Sequence, residues 1–507
     1  MGSTPFDVPS LENLPQAIGV KNSGVREFTN DRVFPVSRHV SQDGTLEAGK
    51  VVEFRFRSDS SRWINWRESK LHATFEVVTT NNGATSGTAP GVGVTIPKTT
   101  RMVAMPLHHI FDGGMRYTLN GTVVENNTHP AQSAMVALLS RTDPMSTQTS
   151  GSNALMTLDK TVGYDKTAAA GTNPRDINPK CSILQDFQLN AQSKSAFEIS
   201  EPLVGLACLQ HGYFAPPGDH RLEFTVANSF EKNLIFNDSA AADGQFETIS
   251  SAPIPASTAY GLKTCYVNLT SLEASICYVA PTSAFIPRSL ALKFSPYTIT
   301  TKSVLNQTVL DSVVIPCSTR AIYLWLRQGN QRGRQFDAEE MGLATVGRNV
   351  LLPDNTDGDS RAIGFFTSLE VQIGSHIAGK YTAMNPIQGK MSKCFDDYLS
   401  VLGKPNAMRP NTLTYTEFCG QHSSSGASGP KSAIASQGDR AGGFWMRIIT
   451  PSGSLSNVCN IRGELSQAPG AASQLEMVVV AVSDRLLECE YTQGEEIPSS
   501  TRVSDIL

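Results

Sequence analysis

Histidine pairs are the first place to look for a metal site, and this sequence contains a single pair of adjacent histidines, His108 and His109. We expect both to lie on a strand, where neighbouring side chains point to opposite faces of the sheet. Two imidazoles on opposite faces make a poor chelate for one ion. The sequence therefore predicts no metal site at this pair.

Three aspartates in the segment PDNTDGDS give it the look of a calcium-binding loop. They are Asp354, Asp357 and Asp359. An EF-hand frame aligned on Gly358 would place Pro353 at the first ligand position and Gly364 where a glutamate is required. A polar loop between strands is the favoured interpretation, and a casual surface ion site is the alternative.

Common catalytic signatures are missing. The sequence has no Walker A motif, no H-E-x-x-H and no G-x-S-x-G. Its nine cysteines contain no C-x-x-C pair, which excludes the usual zinc sites and disulfide frameworks. Cys277 stands within a strand pattern, so we expect an ordinary packing residue. The sequence predicts no enzyme, no catalytic residue, no cofactor and no metal.

Aromatic and basic side chains are the remaining candidates for binding. The tryptophans are Trp63, Trp66, Trp325 and Trp445. They could stack on bases or sugars, but packing in a core or an interface is favoured. The nearest approach to a basic cluster is Arg55, Arg57, Arg62, Arg67 and Lys70. Solvent-side strand positions explain this cluster, and a patch that faces a charged partner is the alternative.

Most elements that position these residues are predicted to be strands. Apolar residues alternate with polar ones at Val52, Phe54 and Phe56; at Leu71, Ala73, Phe75 and Val77; at Leu222, Phe224 and Val226; at Leu272, Ala274, Ile276 and Tyr278; at Leu369, Val371 and Ile373; and at Leu475, Met477, Val479 and Ala481. A period of two with one apolar face predicts half-buried antiparallel strands. Asn120-Gly121 predicts a tight hairpin, because both central residues need positive φ.

Two short helices indicate an internal repeat. One is predicted over 130–140, and the other over 386–402 with Asn385 as its cap and Gly403 after its end. Each follows a strand–turn–strand unit, with turns at Asn120-Gly121 and Gly374-Ser375, and the two units lie about half the chain apart. We interpret this as a duplicated architecture, and coincidence between two common units is the alternative.

The composition agrees with many short strands joined by turns. The chain of 507 residues has 40% hydrophobic and 17% charged residues, with 40 glycines and 28 prolines. The net charge is −4 and no basic tail is present, which argues against direct coating of nucleic acid. No long apolar stretch predicts a membrane span. The N-terminus lacks an apolar signal region, so we expect folding in a reducing cytosol or nucleus.

The domain prediction has four parts. These are an N-terminal arm over 1–44, a first β domain over 45–285, a second over 286–491 and a C-terminal tail over 492–507. Arms and tails are poorly ordered unless a neighbour holds them. Long polar loops are predicted after Asn81 and over 143–175 and 420–440, and loops of this length are usually functional or mobile.

The order of several segments resembles the major capsid proteins of Polinton-like viruses, virophages and adintoviruses, and more distantly those of large algal and amoebal DNA viruses. The segments are EFRFRSDSSRWINWRESKLHATFEV, PLHHIFDGGMRYTLNGTVVENNTHPAQSAMVALLS, EPLVGLACLQHGYFAPPGDHRLEFTV, SLEASICYVAP, IPCSTRAIYLWLRQ, DDYLSVLG, DRAGGFWMRI and VVVAVSDRLLECEY. Together they span most of residues 45–491. Each is loose alone, and the resemblance rests on their order and spacing.

This resemblance implies an all-β fold of two tandem eight-stranded antiparallel jelly rolls with short helices in loops. It implies a homotrimer with a pseudo-hexagonal outline that tiles an icosahedral shell around double-stranded DNA. The expected partners are further copies of the chain, neighbouring trimers, penton and minor capsid proteins, and a host receptor through surface loops. The expected location is the virion, after assembly in the host cytoplasm or nucleus. The alternative function is a glycan-binding or glycan-cleaving β-sandwich protein, which would need a cleft with paired carboxylates or exposed aromatics.

Overall fold

The computed structural model describes part of the chain. The described residues are 28–33, 49–59, 61–81, 100–102, 106–141, 194–209, 214–215, 217–228, 235–238, 246–248, 262–279, 289–328, 366–385, 390–401, 445–448, 457–466, 468–469, 475–492, 498 and 500–505.

The first half of the chain is built from strands with two short helices. Its strands are β1 (Phe28–Val33), β2 (Val51–Ser58), β3 (Trp63–Asn65), β4 (Lys70–Asn81), β5 (Thr100–Met102), β6 (Gly114–Leu119), β7 (Thr122–Asn127), β8 (Lys194–Pro202), β9 (Phe214–Ala215), β10 (Gly218–Thr225), β11 (Ile235–Asp238), β12 (Phe246–Thr248) and β13 (Leu262–Val279). Its helices are α1 (Pro106–Ile110) and α2 (Pro130–Arg141), and short 3-10 turns cover Trp66–Glu68 and Ala207–Leu209.

The second half has the same character. Its strands are β14 (Ser289–Phe294), β15 (Tyr297–Ser303), β16 (Thr308–Val314), β17 (Thr319–Gln328), β18 (Phe366–Ile373), β19 (His376–Tyr381), β20 (Trp445–Ile448), β21 (Val458–Leu465), β22 (Leu475–Ser483), β23 (Arg485–Glu490) and β24 (Ser500–Asp505). Its helix is α3 (Ser392–Val401).

Both halves arrange eight strands in the same order. In the first half, β1-β13-β4-β8 and β2-β10-β6-β7 form two antiparallel sheets. In the second half, the sheets are β15-β22-β17-β20 and β16-β21-β18-β19. When the eight strands of each half are counted along the chain, both halves give the orders 1-8-3-6 and 2-7-4-5. This is the strand order of a jelly roll, so the predicted eight-stranded pair is confirmed.

The repeat extends to a shared irregularity of one residue. In the β6–β7 hairpin, Thr118 pairs with Val123 but Tyr117 pairs with Glu125, so Val124 is an extra residue. In the β18–β19 hairpin, the corresponding extra residue is Ala378. A β-bulge at the same position of both hairpins supports duplication over coincidence, because bulges are specific features of a strand pair.

The hairpin turns have the predicted backbone conformation. Asn120 and Gly121 have φ of 51° and 82°, and Gly374 has φ of 56°. Helix α2 confirms the helix predicted after the first hairpin.

The second predicted helix was wrong at its start. Asn385 was expected to cap it, but Asn385 and Lys390 exchange two backbone hydrogen bonds of 3.2 and 2.8 Å as an isolated β-bridge. The helix begins at Ser392 instead. Phe395 and Leu399 of this helix are half-buried against the core.

Two strands lie inside the ranges predicted as arm and tail. β1 pairs with β13 in the first jelly roll, and β24 pairs with β23. These chain ends are therefore held by strands of the same chain. The boundary predicted at 285/286 lies outside the described residues, and the domain limits stay predictions.

Apolar side chains from facing sheets form one continuous core. Phe224 stands near its centre, with ring centroids 5.7 Å from Phe54 and 5.3 Å from Phe111. Burial of each such side chain stabilises the fold by roughly 1.5–3 kcal/mol. Strand β22 is buried along its whole length, because it lies between β15 and β17 and is covered on both faces. Among the described residues, no helix has both the length and the apolar character needed to cross a membrane.

Candidate functional site

The first cluster that resembles a reactive site is a buried histidine–carboxylate pair. His108 Nδ1 lies 2.8 Å from Glu201 Oε2, and both side chains are fully buried. The backbone N–H of Gly205 donates to His108 Nε2 at 3.0 Å. Since Nε2 accepts a hydrogen bond, the proton of the neutral ring is on Nδ1, which donates to the carboxylate. Glu201 Oε1 also accepts from the backbone N–H of Leu107 at 2.8 Å.

This arrangement corrects the prediction that His108 and His109 lie on a strand. Both residues are on helix α1 and both are buried. Helix α1 forms here because Glu201, which is distant in sequence, accepts from a free N–H in its first turn. Burial is the main reason that the pKa of Glu201 is raised, and its bond to His108 opposes that rise. Among the described residues, no group of three His, Cys, Asp or Glu side chains is arranged to hold a metal ion.

A second buried carboxylate, Glu125, connects the β6–β7 hairpin to the turn at 207–209. Its two oxygens accept from the backbone N–H groups of Ala207 and Cys208 at 3.0 and 2.8 Å. Burial raises the pKa of Glu125, and the two backbone donors oppose that rise. Glu125 directly, and Glu201 through His108, therefore hold the 205–208 segment in place, which is a structural task.

A third cluster has the composition of a serine–histidine dyad. Ser58 Oγ lies 2.7 Å from His220 Nε2, and the Tyr117 hydroxyl lies 2.9 Å from His220 Nδ1. A catalytic histidine needs a negative partner that stabilises the imidazolium. Burial instead raises the pKa of Tyr117 well above its ordinary value, so its hydroxyl stays neutral. Phe56 also stacks on His220 with ring centroids 5.3 Å apart, so the cluster packs as part of the core.

The described cysteines are packing residues with one exception. Cys208, Cys277, Cys394, Cys459 and Cys489 are buried and Cys317 is exposed. Burial raises the pKa of Cys277 to about 11 and that of Cys459 to about 12. A thiol with so high a pKa is a poor nucleophile. The packing role predicted for Cys277 is therefore confirmed.

The predicted tryptophan and arginine positions are found partly as expected. Trp63 and Trp66 are buried in the core. Trp325 and Trp445 lie on β17 and β20, but their side chains are outside the described part, as are Asp354, Asp357 and Asp359. Arg55 and Arg57 are exposed on β2, in agreement with solvent-side strand positions.

The outward side of the β2-β10-β6-β7 sheet is charged, and we call it the first outer face. Arg55 pairs with Glu53, and Arg57 lies 3.7 Å from Asp219. Arg221 reaches both Glu53 at 2.9 Å and Glu223 at 2.7 Å. The basic residues of this face thus lie in a ladder of alternating charges, which leaves little net field for an anionic partner.

The outward side of the β16-β21-β18-β19 sheet, the second outer face, differs at equivalent positions. With the shared bulge as the reference, the residues that correspond to Glu53, Arg55 and Arg57 are Leu310, Ser312 and Val314. Leu310 and Val314 are 70% and 67% exposed, and Ile377 on β19 is 48% exposed. Leu310 and Val314 on β16 are separated from Ile377 by polar residues that include Ser312 and Asn460, so these apolar side chains do not form one continuous patch. Sequence reasoning missed this difference between the two outer faces, because equivalent positions of the two halves can be matched only with the bulges as a reference.

The two jelly rolls contact each other within the chain. Thr122 Oγ1 at the start of β7 donates to the backbone oxygen of Thr501 on β24 at 3.1 Å. The buried Tyr491 hydroxyl donates to the backbone oxygen of Pro217 at 3.3 Å. The β6–β7 hairpin therefore rests against the last strand of the second half.

A polar groove lies over the outward side of β8, β4 and β13. Its lining includes Glu68, Glu198 and Glu273. No Phe, Tyr or Trp is among its described lining residues. The exposed aromatic rings expected of a glycan-binding cleft are therefore missing from the described lining of this groove.

Comparisons with known proteins give structural matches only. No protein-family model matches the sequence, and no curated protein is significantly similar to it. The crystal structure of the mavirus major capsid protein matches with a TM-score of 0.52 and 10% identity, over 100% of this chain and 95% of that one. A chain of the Sputnik virophage, solved by cryo-EM, matches with a TM-score of 0.54 and 13% identity, over 95% of this chain and 88% of that one. The strand order in each half and these full-length matches together show that the chain has the double jelly-roll fold.

Proposed function

We propose that this chain is a major capsid protein whose role is structural and not catalytic. The observation that carries the proposal is the pair of jelly rolls with identical strand order, joined in a chain that matches a viral capsid subunit along its whole length. Two similar barrels in one chain present similar sides to their neighbours. Three such chains in a ring present six similar sides, which is the geometry needed to cover a surface with hexagons.

The homotrimer is then a pseudo-hexagonal building block of an icosahedral shell around double-stranded DNA. Its partners are neighbouring trimers and, at the remaining positions of the shell, penton and minor capsid proteins. Surface loops are proposed to contact a host receptor. The site of action is the virion, and assembly takes place in the host cytoplasm or nucleus.

The mass of the purified protein in solution tests this proposal. We expect light scattering after size exclusion to give about 164 kDa, three times the chain mass of 54.6 kDa, and to hold this value on dilution. Negative-stain images of the same fraction should show particles with a hexagonal outline. A species that stays monomeric at every concentration, with no particles, would contradict the proposal.

A further inference from the structure

The shared bulge gives a residue-by-residue correspondence between the two hairpins. Val124 and Ala378 are the extra residues, and both are buried. Counting back by one and two residues, Val123 corresponds to Ile377 and Thr122 corresponds to His376. Val123 and Ile377 are similarly exposed, at 46% and 48%. Each hairpin therefore presents one apolar residue at the same place, next to a polar residue at the start of its second strand.

The first hairpin already has a partner at this place. Thr122 Oγ1 donates to the backbone oxygen of Thr501, so the beginning of β7 lies against β24 of the second jelly roll. β7 is the last strand of its sheet, and such an edge has backbone groups available for an approaching strand. The chain itself shows what contacts the start of this strand when a jelly roll stands beside another, although Val123 remains 46% exposed there.

In the described part of the chain, the edge strand of the second hairpin, β19, is contacted at one of its two ends. β19 is likewise the last strand of its sheet. The end of β19 away from the hairpin turn contacts α3, because Lys393 Nζ donates to the backbone oxygen of Lys380 at 2.7 Å and lies over the ring of Tyr381. The end of β19 next to the hairpin turn, which we call its near end, has His376 and Ile377 exposed. No strand of the described part pairs with the outer edge of β19.

We propose that the near end of β19, with His376 and Ile377, is the contact surface for the first jelly roll of a second copy of this chain. The inference rests on the proposed homotrimer and identifies the side of the chain that closes it. Within one chain, the first jelly roll places its hairpin on the second. Between copies, the second jelly roll places the equivalent hairpin on the first jelly roll of the next chain. Repetition of this head-to-tail contact closes after three chains.

The chemistry of the two positions fits this role. Ile377 has one more methylene group than Val123, which stays 46% exposed beside β24, and this greater length lets Ile377 reach further into the contact. His376 takes the place of Thr122, and its ring N–H can donate to a backbone oxygen as the threonine hydroxyl does. The contact between copies is therefore a modified version of the contact seen within the chain.

The variant Ile377→Asp tests the assignment, with Leu310→Asp as its matched control. Both residues are exposed leucine-sized side chains on the second outer face, but Leu310 lies on β16, at the opposite edge of the sheet. A carboxylate buried in an interface without a partner weakens association strongly. We expect Ile377→Asp to raise the trimer dissociation constant at least about tenfold and Leu310→Asp to leave it unchanged. Light scattering over a dilution series gives both constants, and circular dichroism checks that each variant is folded.

The outcomes separate this inference from the function that it rests on. A wild-type protein that is monomeric overturns both. A trimeric wild type whose Ile377→Asp variant remains an equally stable trimer overturns this assignment alone. Dissociation of the Leu310→Asp variant also overturns it, because the contact would then extend to the other edge. Hydrogen exchange adds an independent readout: amides 376–378 should be protected in the wild-type trimer and exchange faster in monomeric Ile377→Asp.

Discussion

At the scale of single residues, the ionisable groups inside this protein hold backbone segments in place. Glu201 and Glu125 accept backbone N–H donors from α1 and from the 207–209 turn, and His108 joins the first of them to Gly205. Each group satisfies donors that would otherwise be buried without a partner, which would cost about 1–3 kcal/mol apiece. Residue types that suggest catalysis in the sequence here accept hydrogen bonds from irregular backbone segments and stabilise them.

His109 should make the protein sensitive to acid. Burial, assisted by the neighbouring His108, lowers the pKa of His109 from 6.5 to about 3. Between these values the unfolded chain binds a proton that the native protein does not, so stability falls as the pH falls below 6.5. Between pH 6.5 and 5 the loss is about 2 kcal/mol, since each pKa unit corresponds to roughly 1.4 kcal/mol.

Urea unfolding of wild type and His109→Gln at pH 7 and pH 5 measures this effect. The variant should be less stable at pH 7 and should lose about 2 kcal/mol less than wild type on acidification. The raised pKa values of Glu201 and Glu125 act in the opposite direction, because a carboxyl group of this kind stabilises less as the pH rises. Their effect is common to both proteins and cancels in the comparison. Equal losses in the two proteins would show that His109 is not responsible.

At the scale of elements, strands and hairpins could be predicted from the sequence, and the helix α1 could not. Alternation identifies a strand because one face is buried along its whole length, as in β18, where Leu369, Val371 and Ile373 are all buried. The segment around His108 is too short for a period to be recognised. Its conformation depends on Glu201, a residue far along the chain, so no local pattern contains the information.

The start of α3 shows the same limit. Proline after Asn385 is a sound local signal for a helix start. Asn385 instead pairs with Lys390 through two backbone hydrogen bonds, and the helix begins two residues after that bridge, at Ser392. The outer surfaces were also unpredictable, because equivalent positions of the repeat could be matched only after the bulges were seen.

The Asn120 turn gives a prediction for the β6–β7 hairpin. Asn120 has positive φ, and its Oδ1 accepts from the backbone N–H of Asp219 at 2.8 Å, which joins the turn to β10. Asn120→Ala loses both the tolerance of positive φ and the hydrogen bond, at a cost of about 1–2 kcal/mol. Asn120→Gly loses only the hydrogen bond and should cost less. Thermal unfolding compares them, and an alanine variant as stable as the glycine variant would contradict this explanation.

At the scale of the whole molecule, each end of the described chain pairs with the chain's own sheets. β1 extends the first jelly roll and β24 joins β23 while it contacts β7. The tail is thus part of the junction between the jelly rolls. The part of the predicted arm that precedes β1, residues 1–27, lies outside the described part.

Removal of residues 1–27 tests the predicted role of the arm. The apolar residues Phe6, Leu11, Leu14 and Ile18, in a segment without strand periodicity, predict that the arm over 1–40 joins neighbouring subunits or minor proteins inside the shell. The truncated protein keeps β1 and should still form trimers. Particle assembly should fail or give irregular shells by electron microscopy. Normal particles from the truncated protein would remove the arm from this role, and loss of the trimer would indicate a defect within the capsomer instead.

The unlike outer faces of the two jelly rolls determine how a partner can distinguish one jelly roll from the other. If the six jelly rolls of the proposed trimer had identical outer faces, a partner could not distinguish one jelly roll from the next. Here the ladder that contains Arg55 and Arg57 occupies one barrel, and Leu310 and Val314 occupy the same places on the other. A partner surface that packs against Leu310 and Val314 would bury charged groups without compensation if it met the first jelly roll instead. The outer surface of the proposed capsomer is therefore three-fold in its chemistry, although its strand order repeats six times.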